Sequence, residues 1–156
     1  MDADAEEEES LKDEMTSVIE EARMVIPGIQ AVFGFQTMAV FNNRFENLSD
    51  SGRWAYLVAL GFLMLAIGLL MTPAAYHRLV ERGCVSRKMI NLSSNFVTAG
   101  MVPLMFAFAI DVYVVILAAI NSQRLGFYGA IATICVLSGL WFLFPLSKRS
   151  DKHWRN

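Results

Sequence analysis

Four long runs of this chain, at about 25–45, 54–75, 96–120 and 125–146, carry almost no charge. Crossing about 30 Å of hydrocarbon takes roughly 20 apolar helical residues, and in lipid a helix is one of the few structures that satisfies its own backbone N–H and C=O groups. The runs at 54–75 and 125–146 hold no Asp, Glu, Lys or Arg; the run at 96–120 holds only Asp111, and the first is charge-free until Arg44. Of 156 residues, 55% are hydrophobic and 18% charged, a balance too apolar for an ordinary soluble domain. The expected fold is all-α: a polytopic membrane protein with a four-transmembrane-helix bundle and an N-terminal cytoplasmic amphipathic helix. Its first partner is the lipid bilayer.

The N-terminal stretch "MDADAEEEESLKDEMTSVIEEA" holds ten of the fifteen acidic residues. Residues 1–9 read as a disordered acidic tail, since little apolar surface is available to offset the ordering entropy. Residues 10–24 read as an amphipathic juxtamembrane helix, with Leu11, Met15, Val18, Ile19 and Ala22 at spacings of three and four behind a Ser10 cap. Its acidity gives no pull toward anionic lipid, so packing under the bundle is favoured. Residues 25–146 form the membrane domain and 147–156 a basic cytoplasmic tail. An acidic start with no small-residue cleavage site does not read as a cleavable signal. Cys84 falls in a loop and Cys135 within the fourth run, so no disulfide is expected.

Charge sets the orientation. Ten of the thirteen Lys and Arg lie on the side shared by both termini and the long loop, and only Arg44, Arg53 and Arg124 lie on the other. Positive charge stays cytoplasmic, which places both termini inside. Phe45, Trp54, Tyr56 and Tyr128 at one boundary, with Tyr76, Trp141 and Phe144 at the other, fit an aromatic belt. In "TPAAYHRLVERG", Thr72 can cap, Pro73 can open a helix and Gly83 can close one, which sets Tyr76, His77 and Arg78 as a cytoplasmic interface motif. Ser86 can cap the third spanning helix, and Pro103 can kink it.

Asp111 is the one residue here that composition does not explain. An ionised carboxylate in hydrocarbon costs several kcal/mol, so it must be paired, protonated or turned toward water. Gly100, Ala107, Asp111 and Ala118 share one stripe, and small residues let spanning helices approach, so Asp111 faces the bundle. At about 1.5 Å per residue, Gln36 on the first run and Thr133 on the fourth lie at matching depth. Asn43 one heptad outward and Arg44 snorkelling inward complete a polar lane as a candidate ion or proton site. A protonated Asp111 bonded to Gln36 and Thr133 is the structural alternative, a clamp gaining about 0.6 kcal/mol per bond.

Other chemistry is poorly supported. No His falls within a span to hold a haem, and His77 reads as an interfacial residue. No phosphate-cradling loop, serine elbow or paired metal-ligand motif is present, and Asp111 has no second acid at depth. Neither catalysis, a cofactor, a resident metal nor a nucleic-acid partner is expected.

The segments "EARMVIPGIQAVFGFQTMAVFNNRF", "MTPAAYHRLVERG" and "AIDVYVV" resemble an uncharacterised family of small bacterial four-span membrane proteins, over about residues 20–140. The resemblance implies the bacterial inner membrane and a four-helix bundle, and some relatives are automatically labelled sodium:proton antiporter. Two functions follow. One is a structural or accessory bundle associating with itself or a membrane complex through small-residue faces: Ala59 with Ala66, and Gly61 with Gly68. The other is an oligomeric transporter or channel subunit in which Asp111 handles a proton or monovalent cation; the one-sided charge bias disfavours an antiparallel dual-topology dimer.

Overall fold

The computed structural model describes residues 2–41, 43–46, 48–79 and 87–147, and the side chains of all of these except 2–8, 22, 43 and 44. The described architecture is all-α. Helix α1 spans Asp2–Ala39, α2 is the single turn Asn43–Glu46, α3 spans Asp50–Leu79, α4 Arg87–Ile120 and α5 Gln123–Ser138, followed by a π-helical turn at Gly139–Leu143.

Of the four long helices, three are long and apolar enough to cross a membrane: Asp50–Leu79, Arg87–Ile120 and the stretch Gln123–Ser147. The four spans expected from sequence are therefore matched by three, and the N-terminal helix is not apolar. The acidic residues from Asp2 to Glu21 and the run after Arg23 belong to one helix of 38 residues. No break occurs at Pro27, and helix begins at Asp2 where a tail was expected. The apolar part also stops short: Met24–Ala39 measures about 24 Å at 1.5 Å per residue, against about 30 Å of hydrocarbon.

Pro27, Pro73 and Pro103 all lie inside helices. Each lacks the N–H that would reach the carbonyl four residues earlier, a loss that neighbouring helices and Ser/Thr hydroxyls make tolerable in spanning helices. Thr72 opens no new helix. Its hydroxyl donates to the Gly68 carbonyl at 2.8 Å, and α3 runs on through Pro73. The expected signals at Gly83 and Ser86 lie outside the described residues.

The chain forms two compact units, residues 1–39 with 63–103, and residues 40–62 with 104–156. In the first, Met15 of α1 is buried against Met89 and Ile90 at the start of α4, with Leu11, Ile19 and Tyr76 packed around them. The apolar stripe of the acidic segment is thus spent on helix packing. Glu14 and Arg87 face each other at 3.3 Å beside this cluster. Further along, Gly100 admits Leu70, whose Cγ would stand 3.0 Å from a Cβ there.

In the second unit, α4 and α5 form a tight hairpin. Asn121 takes the left-handed conformation (φ 54) that ends α4, and its N–H donates to the Leu117 carbonyl at 2.9 Å. Ser122 then caps α5 by accepting from the Leu125 N–H at 3.4 Å. Gly126 lies against Tyr113, and Gly129 against Ile116 and Val112. The Ser138 hydroxyl donates to the Met105 sulfur at 3.2 Å, and the rings of Tyr113 and Phe127 meet edge to face at 5.5 Å. Around α5 and the π-helical turn after it, Leu125, Phe127, Ile131, Val136 and Leu140 are exposed, as lipid-facing residues are.

Candidate functional site: the Asp111 region

Asp111 is half-buried on α4 in the second unit. The residues beside it on the helix, Ile110, Tyr113 and Val114, join an apolar cluster with Leu48, Tyr56, Ala55 and Phe45. Tyr56 is central to that cluster. It is 4% exposed, and the Phe45 ring meets it edge to face, with centroids 5.1 Å apart. The Asp111 carboxylate lies within electrostatic reach of the Tyr56 hydroxyl.

Tyr56 joins the region as a residue that the sequence reading did not set beside Asp111: Trp54 and Tyr128 are exposed, whereas Tyr56 is buried. The signal was present in the spacing. Tyr56, Ala59, Leu63, Ala66 and Leu70 recur at three and four, and all five are buried.

The expected partners fall in different places. Thr133 is half-buried in the same unit as Asp111, but its hydroxyl donates to the Gly129 carbonyl at 2.9 Å. With its single proton so committed, Thr133 can accept from a protonated Asp111 but has no donor for an ionised one. Gln36 is buried in the first unit, and neither it nor Asp111 is without a partner. The side chains of Asn43 and Arg44 lie outside those described. Arg53, close to them in sequence, is bound locally: its guanidinium donates to the Glu46 carbonyl at 2.6 Å and stands 3.7 Å from Asp50.

Tyr76, His77 and Arg78 occupy the final turn of α3 in the first unit. Cations there face the negative end of the helix dipole. Tyr76 turns inward onto the Met15 cluster, while Arg78 is exposed and His77 half-buried. Among the described residues, no group of three or more His, Cys, Asp and Glu could hold a metal ion.

Residues 4–145 match a family of unknown function, DUF6328. No curated protein and no solved structure matches the chain.

Proposed function

The chain belongs to DUF6328, and from that premise we propose that it is a non-enzymatic structural or accessory helix bundle of the bacterial inner membrane. It crosses four times, with both termini cytoplasmic. The fourth crossing is the charge-free part of α1. Leu11 and Ile19 of α1 and Tyr76 in the last turn of α3 pack against the same Met15–Met89–Ile90 cluster. The short apolar length is met by local thinning of the bilayer.

The observation that carries the accessory role is the open face of α3. Gly61 and Gly68 are one heptad apart and exposed, and a Cβ at either would meet nothing within 4 Å. Met64, Leu65 and Met71 are exposed with them. In lipid, small residues bring helices close enough for van der Waals packing, so this face suits a second helix from another copy or another membrane protein. Fluorescence transfer between labelled copies in vesicles tests it. Wild type should associate and Gly61→Leu/Gly68→Leu should not; equal transfer in both would reject this face as the contact.

A half-buried carboxylate, Asp111, within a candidate membrane span favours a second reading, an oligomeric transporter or channel subunit in which Asp111 carries a proton or monovalent cation. Cation-dependent proton flux into liposomes should then be lost in Asp111→Asn at unchanged stability. Flux that is absent, or indifferent to the substitution, leaves Asp111 as a clamp.

A further inference from the structure

Where α1 passes the end of α3, the first unit holds a cleft of about 380 Å³ lined by Ile19, Arg23, Ala74, His77 and Arg78. Its chemistry is one-sided. Arg23 of α1 and His77 and Arg78 of α3 line it, and among the described residues no carboxylate lines the wall. Ile19 and Ala74 supply apolar wall between the basic groups. The position matters equally, because His77 and Arg78 are in the last turn of a candidate membrane span, where chain leaves hydrocarbon for headgroups.

We propose that this cleft binds the phosphate of an anionic phospholipid headgroup, with Arg23 and Arg78 as the charge-assisted donors. His77 adds a ring N–H, and Ile19 with Ala74 packs against the first apolar atoms of the lipid. A guanidinium presents N–H groups in a planar fork that matches phosphate oxygens, so two of them from different helices can grip one phosphate from two directions. A lipid held there also ties α1 to α3. Asp111, Gly61 and Gly68 are not among the cleft's lining residues.

The test uses the delipidated full-length protein in detergent, titrated with phosphatidylglycerol, phosphatidylcholine or inorganic phosphate. Bound lipid is counted by native mass spectrometry, and stabilisation is followed by thermal shift. Phosphatidylglycerol should bind more tightly than phosphatidylcholine, and Arg23→Gln/Arg78→Gln should weaken it at least about tenfold, the scale of one lost charge-assisted bond. Arg124→Gln, an exposed cation at the start of α5, should leave it unchanged. Ala74→Trp fills the cleft with every charge in place and should also abolish binding, a readout that stands if the double variant fails to fold. A response to phosphatidylglycerol alone identifies the headgroup; a response to inorganic phosphate without lipid preference identifies the free anion and overturns the lipid assignment. Wild-type affinity in Ala74→Trp and in the arginine variant, or an equal loss in Arg124→Gln, overturns the site.

Discussion

Gly126 and Gly61 give a matched pair of positions at which the same substitution should have opposite consequences. Both are helical glycines, so Gly→Ala brings the same gain in backbone propensity at each, about 1 kcal/mol. At Gly61 a methyl meets nothing within 4 Å. At Gly126 it would stand 2.8 Å from the Tyr113 Cδ2 and 3.1 Å from the Tyr113 carbonyl oxygen. The ring can rotate a little, but the carbonyl belongs to the α4 backbone and cannot, so α4 and α5 must separate. Overpacking of this kind costs about 1–3 kcal/mol. The propensity gain cancels in the comparison, which leaves Gly126→Ala about 1–3 kcal/mol less stable than Gly61→Ala. Unfolding in mixed micelles with a rising fraction of SDS, followed by helical circular dichroism and tryptophan fluorescence, measures that difference for the monomeric protein. A Gly126→Ala protein as stable as Gly61→Ala would refute the close α4–α5 approach, and with it the frame on which Asp111 and Thr133 are held.

Three further outcomes are expected. Ser122→Ala should cost about 0.5 kcal/mol in the same assay, the low end for an N-cap, because its bond to the Leu125 N–H is long at 3.4 Å. Met15→Ala should cost about 2–5 kcal/mol, since it empties the centre of the Met89–Ile90 cluster, and should expose α1 to limited proteolysis. Glu14→Gln should change stability by no more than about 1 kcal/mol, with the difference vanishing in high salt, because Glu14 and Arg87 are both more than half exposed.

How much was legible in advance can be judged from the helix ends. The α4–α5 turn was readable only as the gap between runs at about 96–120 and 125–146; the left-handed Asn121 and the Ser122 cap that close it come from the structure. The small-residue stripe of α5 was likewise readable, and Gly126 and Gly129 do meet α4. The end of the first apolar run was not. Hydropathy continues through Val40 and Phe41, yet α1 stops at Ala39, and nothing in the composition of the stretch marks that stop. Proline left alternatives open. Pro27 could mark either a kink or the first turn of a spanning helix, and Pro73 either a new helix or a span that runs on, and in each case the helix continues through.

By itself the sequence determined that this is a helical protein of the membrane, since run length and the cost of unsatisfied backbone in lipid leave little else. It also determined that Asp111 could not be left against lipid. Only the tertiary structure decided what stands beside that carboxylate. Helical spacing gives the face of a residue and depth gives its level, but neither gives the rotation of the neighbouring helix. That rotation packs buried Tyr56 into one cluster with Ile110, Tyr113 and Val114, the helical neighbours of Asp111, and leaves the Thr133 hydroxyl bonded to its own helix.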